Sequence, residues 1–362
     1  MIIAISVTFF FIILRFAVTL FNFLSDPKLR RVNRFYPDLV SILIPVRDEA
    51  ANIETLLESI RQQDYQNYEV LILDDESSDA TYRICTDYAA IHPQFRVIKG
   101  KKLPHSWLGK NYACHQLAEE AQGDFFLFVD ADEKLNIGLI NSAIHRMYVN
   151  KLCLLSLFAN QQMDTTGERL VVPLMHYILL NLLPLKLVYL VKNYNVAAAS
   201  GQFMLFDAEV YRKYHWHRLV KDKIVEDVEI MRQVKANQCN GEALMANGMI
   251  SCRMYKGYRD AVNGFSKNFL AAFNYNIIWF LVYIVLIIVG PMIIIMTLNL
   301  QLILFMAGLI SLTRVMISLS AGQNAWYNIV LHPAQMFSLT LVAFLAIQRH
   351  LTKTIIWKGR KI

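Results

Sequence analysis

The sequence predicts an α/β protein: a mixed, mostly parallel sheet with helices on both faces, bracketed by membrane-spanning helices. Two observations carry this. Between residues 40 and 130, short apolar runs alternate with segments of helical periodicity, the signature of strand–helix repeats. The apolar residues also concentrate in residues 1–24 and after residue 276. The chain has 362 residues, is 55% hydrophobic and has a mean hydropathy of +0.33. That is too apolar for an ordinary soluble protein of this size.

Residues 1–24 form the first element, an apolar helix with Arg15 in its interior. An arginine at the bilayer centre costs roughly 2.5–3.5 kcal/mol on insertion scales. The segment has neither a basic start nor a small-residue cleavage site, so it reads as an uncleaved anchor. Lys28, Arg30, Arg31 and Arg34 follow and place the chain after residue 25 in the cytoplasm. Residues 40–44 form a strand stopped by Pro45. Ile53, Leu56, Leu57 and Ile60 then mark one face of a helix. Val70 to Leu73 is the next strand. The polar run from Asp74 to Asp79 is a turn that caps a helix from about Ala80. Strands at 95–98 and 124–129 flank a helix near 110–121.

In sheets of this kind ligands bind beyond the carboxyl ends of the strands. Pro45, Asp74 and Asp130 all stand at such ends. Asp130 and Asp132 are spaced i, i+2 and leave extended backbone on the same face. Burying ionised carboxylates alone is costly. A hard divalent cation carrying phosphate oxygens is the matching partner.

Residues 170–190 are apolar but interrupted by Pro173, His176, Pro184 and Lys186, which suggests a membrane-surface element rather than a span; a buried core helix is the alternative. Residues 277–297 form a clear span containing Pro291. A second span fits 300–319, with Arg314 near one end, and a third fits 329–347. An anchor plus three spans would put the basic tail outside, against the positive-inside rule. His332-Pro333 therefore makes the third segment the suspect. The tail, 349–362, carries Arg349, His350, Lys353, Lys358, Arg360 and Lys361.

Net charge is +7, and much of the excess lies beside these membrane segments, where it meets anionic lipid. No basic stripe interleaved with aromatics crosses the middle of the chain, so nucleic acid is not an expected partner. Five cysteines without a CxxC or Cys/His metal spacing exclude a disulfide scaffold.

Four motifs in order resemble family 2 glycosyltransferases with the GT-A fold, over residues 38–270. They are Val40-Ser41-Ile42-Leu43-Ile44-Pro45-Val46-Arg47-Asp48-Glu49, Leu73-Asp74-Asp75-Glu76-Ser77-Ser78-Asp79, Asp130-Ala131-Asp132 and Val225-Glu226-Asp227. The resemblance implies a UDP-sugar donor, a lipid acceptor and a Mg²⁺ or Mn²⁺ cofactor. It places donor binding at Pro45, Arg47, Glu49, Asp74, Asp75, Lys110 and Asp130, and the metal at Asp130 and Asp132. It places catalysis at Asp227, the base, beside Glu226. Gln202, Arg253 and Lys267 are further candidates for acceptor or phosphate contact. A single base opposite the departing UDP implies inversion, unlike a glycosidase with its two carboxylates.

Further pieces resemble the branch acting on carotenoid acids and the hopanoid-associated enzymes. They are Trp107-Leu108-Gly109-Lys110-Asn111, Ser200-Gly201-Gln202-Phe203, Cys252-Arg253-Met254-Tyr255, Gly264-Phe265-Ser266-Lys267-Asn268 and Trp357-Lys358-Gly359-Arg360. This chain has Tyr214-His215-Trp216-His217 where the branch has two glycines before its loop histidine, a loop expected to border the acceptor. Gln-x-x-Arg-Trp, the mark of processive synthases, is absent after Glu226-Asp227. The expectation is a membrane-bound, multi-pass hexosyltransferase at the cell membrane with a cytoplasmic catalytic domain. A polyprenyl-phosphate sugar synthase and an inactive membrane scaffold stay open as alternatives.

Overall fold

The computed structural model describes residues 1–352 together with 356–357 and 360–361. Of the tail 349–362, which contains the Trp357-Lys358-Gly359-Arg360 motif, Lys353, Thr354, Ile355, Lys358, Gly359 and Ile362 lie outside the described residues. The chain divides into two compact units. One comprises Pro27–Asn160 and Lys186–Arg253, the other Met1–Asp26, Gln161–Leu185 and Met254–Ile362.

The first unit carries the sheet. Its strands are β1 (Val40–Val46), β2 (Tyr68–Asp74), β3 (Phe95–Lys99), β4 (Phe125–Val129), β5 (Glu133–Leu135), β6 (Leu154–Phe158), β7 (Asn160–Gln161, at the unit's border), β8 (Phe203–Asp207), β9 (Gly241–Met245) and β10 (Ile250–Cys252). Seven form one sheet in the order β3-β2-β1-β4-β8-β6-β9. The pairs β1–β2, β2–β3, β1–β4 and β6–β9 are parallel. Only β8 runs against its neighbours, β4 and β6. The strands of the middle are buried on both faces: Ile42, Leu43, Ile44, Leu73, Phe126, Leu154, Phe203 and Phe206 are all at or below 1% exposure. This explains their continuous apolar runs, since helices cover both sides.

β1 does not stop at Pro45 as expected but continues to Val46. Val40 donates to Asn67 O, and Val46 O accepts from Asp75 N, so the even-numbered residues of β1 face β2. Pro45 therefore turns its nitrogen toward β4, whose pairing with β1 covers only Val40 to Leu43. A residue without an N–H is tolerated where no ladder bond is needed. The chain order also reverses between β1 and β4, which makes this the switch point where a ligand crevice is expected.

Glu242 on β9 is 4% exposed and accepts two hydrogen bonds from Arg146, at 2.7 and 2.6 Å, which ties the helix Leu139–Asn150 to the sheet. Removing one partner strands a buried charge, although Arg146 itself is partly in water. Arg146→Ala is expected to lower stability by about 1–2 kcal/mol, read as a lower melting temperature with unchanged substrate affinity.

In the second unit three helices among the described residues are long and apolar enough to cross a membrane: Ile2–Ser25, Ile277–Met296 and Leu300–Ala321. The three meet around Ile12 of the first, Ile294 of the second and Met306 of the third. Asn276 and Asn299 cap the second and third with side-chain acceptors. The suspect third C-terminal segment forms the helix His332–Thr352, which is not among the three. The stretch expected at the membrane surface contains instead a buried helix, Pro173–Leu182, with Leu174, His176, Tyr177 and Leu180 at or below 2% exposure. Pro173 opens it, where its missing N–H costs nothing. Asn22 then fixes the turn that follows: its amide donates to Leu180 O and Leu183 O at 2.8 Å, and its oxygen accepts from Leu185 N at 2.7 Å. The helix Tyr258–Asn268, expected within the sheet domain, belongs to this unit and packs on His332–Thr352.

Candidate active site

The reversed strand β8 governs what meets at the edge of the sheet. Val129, the last residue of β4, pairs with Phe203, the first of β8. The segment entering β8 therefore lies beside the segment leaving β4, and Asp130 N donates to Gln202 O at 3.4 Å. Gly201 and Gln202 thus stand next to Asp130 and Asp132.

Two helix starts point at the same place. Lys110, in the first turn of Gly109–Glu120, reaches Asp130 Oδ1 at 2.7 Å and Glu226 Oε1 at 3.0 Å. Burial works against the Lys110 ammonium, but Asp130 and Glu226 outweigh it and hold its pKa well above the ordinary value. Glu226 and Asp227 open the helix Glu226–Ala236. Asp227 accepts from Gly201 N at 2.9 Å and from its neighbour Val228 N at 2.8 Å. Its carboxyl is nonetheless pushed up to about 7, first by burial and then by the charge of Glu226.

Gly201 sits where no side chain fits easily. A Cβ there would stand 3.0 Å from Lys110 Nζ and 3.3 Å from Glu226 Oε1. Gly201→Val is expected to displace the ammonium and cut turnover about tenfold or more while the melting temperature holds. Equal turnover would show that Lys110 is not needed where it stands.

On the other side of β4 are the ends of β1 and β2. Asp74 and Asp75 are 8% and 7% exposed. Asp74 Oδ2 accepts from Ser77 N at 3.3 Å, while Oδ1 is buried without a hydrogen-bond partner. Arg47 donates to Asp75 O at 2.6 Å and lies 4.0 Å from its carboxylate. Pro45 is level with Leu73 in the parallel ladder. Glu49 donates from its backbone to Thr81 Oγ1, and its carboxylate accepts from Asn52.

Asp132 draws the two halves together. Burial first, then the charges of Asp130 and Glu49, push it up to about 6. Cys252 Sγ donates to its Oδ2 at 3.3 Å.

Sequence reasoning missed Glu133. It is 1% exposed, and neither carboxylate oxygen has a hydrogen-bond partner. Burial, with Asp132 and Asp130 beside it, holds its pKa well above the carboxylate range. Asp132, Glu133 and Cys252 each offer a ligand atom within 4.8 Å of the others. The available signal was alternation: Glu133 and Leu135 are the inward residues of β5, with Lys134 outward.

Of the remaining candidates, Gln202 is 5% exposed and accepts from Ser200 Oγ at 3.1 Å. Arg253 follows Cys252 directly. Lys267 lies in the other unit, where burial and then Arg349 depress its pKa. In the loop expected to border the acceptor, Trp216 and His217 instead lie in the core, at 0% and 2% exposure. His217 hydrogen-bonds Tyr211 at 2.6 Å and packs its ring 4.6 Å from Phe128.

A sheet of this order, with carboxylates gathered at the ends of β1, β2 and β4, defines the GT-A class. Residues 41–215 match the family model Glycosyl transferase family 2. Over 234 residues it is 25% identical to the 4,4'-diaponeurosporenoate glycosyltransferase of Staphylococcus haemolyticus, a stretch covering 63% of this chain and 60% of that protein. Over 101 residues it is 37% identical to the undecaprenyl-phosphate 4-deoxy-4-formamido-L-arabinose transferase of Aeromonas hydrophila, covering 26% of this chain and 29% of that one. A mannosyltransferase from Pyrobaculum calidifontis, solved in complex with GDP-Man and Mn²⁺, shares the fold. It has a TM-score of 0.54 and 14% identity over 96% of this chain and 99% of its own.

Proposed function

We propose that this chain is a membrane-bound inverting hexosyltransferase that moves a hexose from a UDP-sugar to a lipid acceptor such as a carotenoid acid. The observation that carries the reading is Asp227, a carboxylate held by two backbone N–H groups and poised near neutrality, set across from the acids at the ends of β1, β2 and β4. A general base works best when its pKa lies near the working pH.

In this reading Asp227 takes the proton of the acceptor hydroxyl as its oxygen attacks the anomeric carbon. The bond from that carbon to the diphosphate oxygen breaks on the opposite face, UDP departs, and the configuration inverts. Asp74 and Asp75 hold the nucleoside, with Asp74 Oδ1 free to accept from a ring N–H or a ribose hydroxyl. Arg47 fixes the Asp75 backbone, and Pro45 and Glu49 are assigned to the same donor-binding edge. Lys110 offers its ammonium to the diphosphate while it keeps Asp130 and Glu226 in place. Gln202, Arg253 and Lys267 are assigned to acceptor or phosphate contact.

The residues present fit a divalent cation. Asp130 and Asp132, both half-buried, and Glu133, buried with neither carboxylate oxygen hydrogen-bonded, give a set of oxygen donors, as hard ions require. Asp130 and Asp132 would hold Mg²⁺ or Mn²⁺. Such an ion, when bound, neutralises charge on the departing diphosphate.

In this reading the three membrane-type helices each cross once, and the basic flank at Lys28–Arg34 favours a cytoplasmic side for both the catalytic domain and the basic C-terminal tail, as the positive-inside rule asks. The enzyme then works on the inner face of the cell membrane, where a poorly soluble acceptor is met.

The test is UDP release by the purified protein in detergent with Mn²⁺. UDP-glucose, UDP-galactose and UDP-N-acetylglucosamine are each supplied with and without a lipid extract of the host. Release that requires one donor, metal and lipid is expected. No release and no UDP binding would leave the scaffold reading in front.

A further inference from the structure

The unit that contains the three membrane-type helices holds two arginines away from water, with no opposite charge beside them among the described residues. Arg15, in the helix Ile2–Ser25, is 7% exposed, and Arg314, in Leu300–Ala321, is 1% exposed. Both guanidinium groups rest on one ring: Cζ of Arg314 lies 3.7 Å from the Tyr177 centroid, and Cζ of Arg15 lies 4.9 Å from it. Phe11 and Tyr283 approach Arg15 at 5.3 and 5.9 Å. Arg314 Nε donates to His332 Nδ1 at 2.9 Å. Nε and Nη2 of Arg15 and Nη2 of Arg314 are buried without a hydrogen-bond partner.

Aromatic faces attract cations but leave the charge in place. Two like charges in a poorly polarisable interior also repel each other. Among the described residues no acid of this unit is paired with either guanidinium. The helices Ile2–Ser25, Ile277–Met296, Leu300–Ala321 and His332–Thr352 contain no Asp or Glu. Glu168 already accepts from Asp164 N and Gly257 N, and Asp260 from Lys256 N. Nor do these side chains escape to an interface, since both are buried by their own neighbours. Ionisable residues held inside a membrane bundle normally pair or mark a site. A guanidinium presents a planar fork of donors that matches a phosphate or a carboxylate.

We propose that this unit binds a lipid whose oxyanionic headgroup pairs with Arg15 and Arg314. The inference rests on these helices being membrane-embedded; it does not rest on sugar transfer.

The test uses the full chain in dodecyl maltoside. Three probes of equal chain length are added: dodecyl phosphate, dodecanoate and neutral dodecanol. Melting temperature and retention by native mass spectrometry are read, with UDP binding followed in parallel by calorimetry. The anionic probes are expected to stay bound and to raise the melting temperature, while dodecanol does neither. A stronger response to dodecyl phosphate assigns a phosphate headgroup, and a stronger response to dodecanoate assigns a carboxylate. Arg15→Gln and Arg314→Gln should each weaken anionic binding about tenfold or more, with the lysine variants intermediate and UDP binding unchanged. Equal behaviour of dodecanol and the anions on the wild-type protein overturns the proposal, even where a variant fails to fold. So does wild-type retention of the anions by both glutamine variants. Anionic binding without UDP binding would count against the transferase reading and leave this one standing.

Discussion

Asp227→Asn is expected to lower kcat/KM for sugar transfer by about 10²–10⁴-fold, the usual reach of a positioned base. The substitution keeps the shape of the side chain, and its single oxygen can still accept from Gly201 N while the bond from Val228 N is lost, so the melting temperature should fall only slightly. The wild-type pH profile carries the same prediction. Burial and then Glu226 raise the Asp227 carboxyl to about 7. The protonated form, which cannot accept a proton, dominates below that value. The rate should rise as pH rises toward about 7 and level off above it, and that limb should vanish in the asparagine variant. Initial rates of UDP release across the neutral range check both. An acceptor already ionised, such as a polyprenyl phosphate, needs no base. Asp227→Asn would then keep most of its activity, and the synthase alternative would replace the one proposed.

Asp132→Ala is expected to cost at least about 10³-fold in metal-dependent turnover, comparable to the loss of a principal charge-stabilising group. The fold should not suffer, because Asp132 stands against other acids and its hydrogen bond from Cys252 is long. Removing it relieves repulsion in the metal-free protein and leaves the β5–β10 ladder, from Glu133 paired with Cys252 to Leu135 paired with Ile250, untouched. Rates against Mn²⁺ concentration, read beside melting curves, separate the two effects. Normal turnover by this variant would remove Asp132 from the metal site.

The parts of the site that could be read from sequence are those that follow strand ends. Apolar runs stopping at Asp74 and Asp130 located two edges of the crevice, because a buried strand announces itself by composition and its end by the first charge. The direction of β8 was not legible. Phe203–Asp207 would look the same in either orientation, and only its pairing with Phe125–Val129 brings Gly201 and Gln202 to Asp130. Glu133 was hidden by its neighbours: a third acid after Asp130 and Asp132 reads as more solvated charge until β5 turns it inward. Trp216 and His217 were misplaced because aromatic and histidine residues suit an acceptor loop and a core equally well, and only packing against Phe128 and Tyr211 separates the two. Residues 170–190 look like a surface element because Pro173, His176, Pro184 and Lys186 interrupt them, yet Pro173 is simply the first residue of the helix Pro173–Leu182 and His176 is buried within it.

The nitrogen of Pro45 has a kinetic consequence. A strand pair can zip shut only while each rung finds its donor, and here the rung facing β4 is missing by covalent structure. The ladder between β1 and β4 therefore ends at Leu43 and Phe128, and no backbone bond between the two strands has to break for a ligand to enter beyond it. Donor association should proceed in a single bimolecular phase whose observed rate climbs linearly with nucleotide concentration, without the plateau that a gating rearrangement would impose.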